Sequence, residues 1–514
     1  MVVVERIVDL WTRRMVYSIV KANGGGAMQS FDLVIRGGTV VTATDSFVAD
    51  IGIRGETITA LGLGLNAGRH EIDARGKLVM PGGVDSHAHI EQLAASGLMN
   101  ADTFESATTS AAFGGTTTVI PFAAQHVGMN LTKVVDDYHR LAERGSIVDY
   151  AFHMIIADPT ELTLTRELPP LVRAGHSSIK IFMTYDRLKL DDEQILDVLT
   201  AARHNGAFVM VHAENHAMIT WMSKRLLARG YTAPKYHAVS HPRVGEAEAF
   251  TRLISCASLI DQPIMIYHVS TAEGAAVIRE ARGQGKKVFA ETCPQYLFLT
   301  KTDIDRPGLD GAKWICSPPL RESTDQQALW RALAQGDLQV ISSDHAPYAF
   351  DQTGKLNAGA DPTFKQIPNG LPGLQARLPL LFDAMVSKRR FDANRFVAWT
   401  ATEPAKIYGL YPKKGSIVVG GDADVALWDP AKEVTFSDAT VKDRSNYTPW
   451  AGRTVKGWPV TVIRRGAVIV ENNALQAAPG TGRFIPRTAG SAGEPLGRPA
   501  PEFDPRFNFN AKLD

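Results

Sequence analysis

Apolar stretches recur along the chain between residues 78 and 347, each separated from the next by a segment of helical spacing or by polar, glycine-containing turns. The first is Val84-Asp85-Ser86-His87-Ala88-His89-Ile90, led in by Lys77-Leu78-Val79-Met80-Pro81-Gly82-Gly83. There follow TTTVIPFA (116–123), DYAFHMII (149–156), SSIKIFM (177–183), FVMVHAE (208–214), PIMIYHVS (263–270), KVFAETC (287–293) and LQVISSDHAP (338–347). Near-continuous apolar runs of this length read as strands buried on both faces, as in a parallel sheet. The segments between them carry helix signals. DDEQILDVLTAARHNG (191–206) opens on acidic residues, keeps a 3.6-residue apolar period and stops at Gly206. Repeated βα units at this count predict an α/β protein, a (β/α)8 TIM-like barrel, with an open doubly wound sheet as the alternative. Polar residues gather at the C-terminal ends of many of these strands, where barrel active sites lie, and that favours the barrel.

The flanks follow a different period. FDLVIRGGTVVT (31–42) and DIGIRGETITALG (50–62) alternate apolar residues with glycine-containing turns, the pattern of β-hairpins. It returns in DADVALWDP (422–430) and TVIRRGAVIVENN (461–473), and RGGTVV at 36–41 looks like RGAVIV at 465–470. We therefore expect a small β-sandwich domain formed from both chain ends. The predicted layout is an N-terminal extension (1–28), the first part of the β domain (29–80), the barrel (81–410), the second part of the β domain (411–487) and a Gly-, Pro- and Ala-rich tail (488–514). The extension has helical apolar spacing that breaks at Asn23-Gly24-Gly25-Gly26, and Met28 is the expected functional start.

A chain of 514 residues has room for such a barrel and a smaller domain. Apolar residues at 45% and charged residues at 21% are ordinary for a soluble globular protein. A formal net charge of +1 argues against a nucleic-acid or membrane-surface partner, both of which favour strongly basic patches. No uncharged apolar run reaches the ~18 residues of a membrane-spanning helix. The cysteines Cys256, Cys293 and Cys316 lack zinc-finger spacing and are odd in number, so they read as free thiols of a reducing cytoplasm.

The chemistry sits at the strand ends. His87 and His89 are two apart on a strand, so both rings face one side and can hold one metal ion as neutral imidazoles. Alone, such a pair is just two polar residues at a strand end. Lys180 lies inside an apolar strand, where a charged amine is costly unless neutralised or used. Either it snorkels to solvent, or it carries CO2 as a carbamate, an anion whose two oxygens can bridge two metal ions. His212 and His268 each end an apolar strand and singly are as readily core histidines as ligands. Asp344 ends VISSDHAPY and could bind metal, act as a base or cap a turn. Four histidines, a bridging anion and an aspartate on five strands suit two divalent ions with nitrogen and oxygen ligands, zinc foremost and manganese as the alternative.

The motifs DSHAH (85–89), AAFGGTTTVI (111–120), SSIKIFMTY (177–185), VHAEN (211–215), YHVST (267–271), ETCPQY (291–296), CSPPLR (316–321), SSDHAPY (342–348) and IPNGLPG (367–373) stand in this order. On them the chain resembles, over about residues 31–487, the dihydropyrimidinase/D-hydantoinase group of the metal-dependent amidohydrolase superfamily. The resemblance implies that His87, His89 and Asp344 bind the more buried ion, that Lys180 bridges as N6-carboxylysine, and that His212 and His268 bind the second ion. It implies that Tyr185 stabilises an oxyanion and that Ser317 and Asn369 hydrogen-bond a cyclic amide. On residues alone, Ser317 before two prolines and Asn369-Gly370 are turn formers. The implied reaction is attack of a hydroxide, activated by the two ions, on the ring amide of a hydantoin or dihydropyrimidine. Asp344 carries the proton to the leaving nitrogen, and the product is an N-carbamoyl amino acid. A cytoplasmic homotetramer with a small-molecule substrate is implied too.

Two places depart from that pattern. The loop Glu91-Gln92-Leu93-Ala94-Ala95-Ser96-Gly97-Leu98-Met99 lacks the usual Met and Pro, and Ile120-Pro121-Phe122 lacks an Asp before the Phe. Both bear on which ring is opened. Glu91, with no Arg nearby in sequence, counts against dihydroorotate. Allantoinase and cyclic imide hydrolase remain as alternatives. A non-enzymatic dihydropyrimidinase-like assembly protein would lack metal ligands, and this chain keeps them. Deaminase and phosphotriesterase branches are disfavoured by IPNGLPG and Tyr185.

Overall fold

A computed structural model describes residues 31–94 and 97–513. The extension expected at 1–28, with Met28, lies outside the described residues. The eight predicted strands all form: Gly83–Ala88, Thr116–Ala124, His153–Ile155, Ser178–Phe182, Phe208–His212, Ile264–Ile266, Val288–Thr292 and Val340–Ile341. They line up in chain order as one parallel sheet, with the short strand Asp149–Tyr150 as a second partner of Thr116–Ala124. All of their residues except Phe289 are buried, which is why they read as unbroken apolar runs. The last strand meets the first: Ala88 bridges His345 in parallel, and the His89 amide donates to the His345 carbonyl at 2.7 Å. The sheet is thus closed into a TIM barrel.

Arg377, fully buried, crosses this seam. It donates to the Val84 and Ile341 carbonyls, both at 3.1 Å, and its Nε lies 3.6 Å from Asp85. A guanidinium offers the fixed fan of donors that two separated strand carbonyls need. The helices pack outside. Asp192–Asn205 starts on a capping box between Asp191 and Gln194 and ends at Gly206, φ 65°; Ile195, Val198, Leu199 and Ala202 bury its inner face.

The strands of both chain ends join in one mixed nine-stranded sheet. Val425–Thr435 pairs antiparallel with Leu78–Pro81, which leads directly into the barrel. Phe31–Val41 is shared: residues 31–36 pair with Gly68–Asp73 and residues 39–40 with Leu78–Pro81, on either side of a register shift. Leu33, Ile35, Ile51, Ile53, Val79, Val425, Leu427 and Ile463 form a core separate from that of the barrel. The two look-alike motifs do different work. Arg465-Gly466, φ 46° and 76°, is a two-residue hairpin turn with both residues left-handed. Arg36-Gly37-Gly38 lies within a strand at the register shift, with Gly37 at φ 65°.

A buried charge cluster joins this sheet to the barrel. Lys414 Nζ lies 2.6 Å from Asp149, 2.9 Å from Asp422 and 2.8 Å from Asp424, and Arg465 lies 3.0 Å from Asp149. The tail seats on the chain's own barrel. Ala489 and Ala492 pack into the barrel core, and Asp261 accepts from the backbone amides of Leu496 and Arg498. Among the described residues no helix is long and apolar enough to cross a membrane.

Candidate active site

Because parallel strands all run the same way, their C-terminal ends share one rim of the barrel. His87, His89, Lys180, His212, His268 and Asp344 are brought together there, and Tyr185, Ser317 and Asn369 line the same cleft of about 280 Å³. His87 and His89 present Nε2 atoms 3.0 and 3.5 Å from the same oxygen of Asp344. Donor atoms of these three residues all lie within 4.8 Å of one another. The His212 and His268 rings are 4.3 Å apart between centres. Lys180 Nζ lies 4.0 Å from the centre of the Tyr267 ring, which stacks on His87 at 4.1 Å. Asp344, His268 and Tyr185 have φ of 48°, 41° and 74°, in the left-handed region that such residues seldom occupy.

Three of the four rings are oriented from behind. His87 Nδ1 contacts buried Glu291, and His89 Nδ1 lies 2.8 Å from Gln92 Oε1, which leaves both Nε2 atoms for the cleft. His212 donates through Nε2 to Glu214 at 2.8 Å, which leaves its Nδ1, and Glu214 also accepts from His241 at 2.8 Å. His268 Nδ1 is buried with no partner. Burial lowers the pKa of His89, His212 and His268, so these rings are held neutral, the form that binds metal. Burial would raise the Asp344 carboxyl, but His87, His89 and His268 hold it well below the usual range. Burial drives Lys180 down to about 7. Nitrogen and carboxylate donors, with the His87 and His212 rings backed by carboxylates, are the chemistry of a divalent-metal centre, and His87, His89 and Asp344 lie close enough together to hold one such ion.

The amidohydrolase family matches residues 78–469. That span contains every residue gathered at the rim. The chain belongs to the amidohydrolase family. The D-hydantoinase of Ralstonia pickettii is 40% identical to this amidohydrolase, over 89% of its chain and 99% of the relative's. The D-hydantoinase of Geobacillus stearothermophilus is also 40% identical, over 88% and 96%. Among solved structures, the dihydropyrimidinase of Brevibacillus agri superposes with a TM-score of 0.86 at 40% identity, covering 89% of this chain and 99% of that one.

Several residues of the amidohydrolase site escaped the sequence reading. Glu214 and Glu291 sit inside quoted motifs, VHAEN and ETCPQY, yet nothing in spacing marks them as supports for His212 and His87. Asp102 lies 2.9 Å from His345 and so secures the turn that carries Asp344. Ser343 does the same, donating to the His87 carbonyl at 3.0 Å. Glu91 faces away from the cleft. It accepts from the Phe104 amide at the start of the helix Phe104–Phe113 and pairs with Arg144 at 2.7 Å.

Proposed function

We propose that this chain hydrolyses the ring amide of hydantoins and dihydropyrimidines to N-carbamoyl amino acids at a centre of two divalent ions, zinc foremost. The observation that carries the reading is the convergence of all the metal-type residues and of Tyr185, Ser317 and Asn369 on one cleft. His87, His89 and Asp344 would hold one ion and His212 and His268 the other, with Lys180 bridging as a carbamate. With a pKa near 7, much of the Lys180 amine is neutral at neutral pH. That form attacks CO2; an N–C bond forms, the nitrogen releases a proton, and a neutral amine becomes a two-oxygen anion.

Two ions held there would supply Lewis acidity for the ring carbonyl and lower the pKa of the attacking water toward neutrality. The remaining steps belong to the chain. Asp344, ionised across the physiological range, accepts the proton of the attacking water and delivers it to the ring nitrogen as the C–N bond breaks. Burial pushes the Tyr185 phenol up, so it stays protonated and donates to the oxyanion. Ser317 and Asn369, on two loops at the rim, hold the ring amide. Leu188, Ile219, Phe364 and Ile367 give the cleft an apolar wall for a ring substituent. A cytoplasmic homotetramer belongs to the same reading and rests on the family resemblance; light scattering of the purified protein checks the assembly.

The test is ring opening by the metal-replete protein of hydantoin, 5-phenylhydantoin, dihydrouracil, allantoin, dihydroorotate and succinimide. Turnover of the hydantoins or dihydrouracil is expected. Turnover of allantoin or succinimide alone would replace this substrate class with one of the alternatives. Asp344→Asn should lower turnover by about 10²–10⁴-fold, and Lys180→Ala should lose both turnover and metal. Full metal content with normal rate in Lys180→Ala would remove the bridge from the reading.

A further inference from the structure

A second lysine is buried near the cleft without lining it. Lys355 is fully buried, and its Nζ donates to the Ile315 carbonyl at 3.0 Å and to the Pro368 carbonyl at 2.7 Å. Both acceptors are neutral. Ile315 stands two residues before Ser317, and Pro368 one residue before Asn369. The two loops come from distant parts of the chain and touch directly through the Gly370 amide, which donates to the same Ile315 carbonyl at 3.0 Å. The other end of the lysine segment is fixed as well, since the Lys355 amide donates to the Ala349 carbonyl at 2.7 Å.

Enclosing an amine among apolar neighbours is costly, and nothing in packing alone requires it. An unbranched apolar side chain of similar length would fill the same space. What an amine adds is two or three N–H donors on one atom, enough to hold two carbonyls at a set separation. Burial pushes its pKa down to about 7, yet the neutral amine still keeps two donors.

We propose that Lys355 is a positioning residue, whose ammonium or amine pins the carbonyls just before Ser317 and Asn369 and so sets the spacing of the two loops that grip the ring. The proposal rests on the reading that Ser317 and Asn369 hold the substrate. The loops are only as far apart as Lys355 allows, and the ring amide that fits between them inherits that distance.

The test compares full-length wild type with Lys355→Met, which keeps the stem and removes the donors, and Lys355→Gln, which returns one donor. Hydrogen exchange is followed by mass spectrometry in peptides covering 312–322 and 364–374, with 178–190 as an internal control. In Lys355→Met both loop peptides should exchange faster while the control and the metal content stay unchanged. KM for hydantoin should rise about tenfold or more with kcat within about threefold, as expected when binding is lost equally from ground and transition states. Lys355→Gln should fall between. Unchanged exchange in both loops overturns the proposal, whatever the activity. Faster exchange with an unchanged KM overturns it as well, because the clamp would then not serve the substrate. A general loss, in which the control peptide and the metal content change too, assigns Lys355 to stability and also overturns it. If wild type opens none of the rings, the reading of function falls, and the exchange data alone decide whether Lys355 holds the loops.

Discussion

At the scale of single residues, the histidines were legible because each ends an apolar strand, where a polar ring has no packing reason to be. The carboxylates that aim them were not. Glu214 is held well below its ordinary range by His241 and His212 against the opposing pull of burial, and it links rings that lie far apart in sequence. A carboxylate on the outer nitrogen of a ligand histidine fixes the tautomer and makes the other nitrogen a better donor. Glu214→Ala should therefore weaken metal binding by about 10–100-fold, measured by competition with a chelator. Retention equal to wild type would show that His212 needs no such support. The left-handed φ of Tyr185, His268 and Asp344 was equally invisible, since none is a glycine or asparagine. Such angles persist where surrounding contacts over-determine them, and the contacts of Ser343 and Asp102 around Asp344 are of that kind.

At the scale of elements, strands and helix ends were readable from period and capping, and the loops between them were readable only as loops. IPNGLPG illustrates the gap. Asn369-Gly370 looks like a hairpin turn, yet Gly370 has φ 146°, and a Cβ there would sit 2.3 Å from the Ala346 carbonyl oxygen. The glycine is required by the approach of two loops that line the cleft, a tertiary fact with no local signal. Ala346 follows His345 and Asp344, so a displaced carbonyl would disturb the turn that carries the proposed base. Gly370→Ala should leave the barrel folded, raise KM and lower kcat together, and cost about 1–3 kcal/mol of stability, a scale set by strained backbone conformations. Wild-type kinetics in that variant would mean the loop can move aside without consequence. Glu91 shows the same limit from the other side: its place in sequence put it beside the metal pair, while the chain's turn, with φ 49°, sends it to a helix N-terminus.

At the scale of the molecule, the joining of both chain ends in one sheet was legible from their shared period, and the way that sheet is fastened to the barrel was not. Asp149 and Lys414 are 265 residues apart, and their contact exists only once both units have folded. The cluster places Lys414 among Asp149, Asp422 and Asp424, with Arg465 as a second cation. Removing one member leaves buried charges of one sign without their partner, a loss of about 3–5 kcal/mol for a buried pair. Lys414→Met should lower the melting temperature accordingly near pH 7. The pH dependence has a definite sign. Burial would raise the Asp149 carboxyl, but Lys414 and Arg465 hold it below its ordinary value. Its contribution is thus complete above the unfolded carboxylate pKa of about 3.9 and is lost as pH falls through the lower folded value. The Lys414 amine is held above its ordinary value by Asp424, Asp149 and Asp422 against burial. That contribution is complete below an unfolded pKa of about 10.4 and fades only as pH rises through the folded one. Burial holds the Asp424 carboxyl above its ordinary value even beside Lys414, so the deficit of Lys414→Met should shrink as pH falls, first as Asp424 takes up a proton and then as Asp149 does, since a protonated carboxyl no longer needs the cation. A variant that melts with wild type at pH 7 would show that the seam is held by apolar packing, with the charges merely accommodated. A deficit that persists undiminished in acid would place the damage in lost packing of the lysine stem.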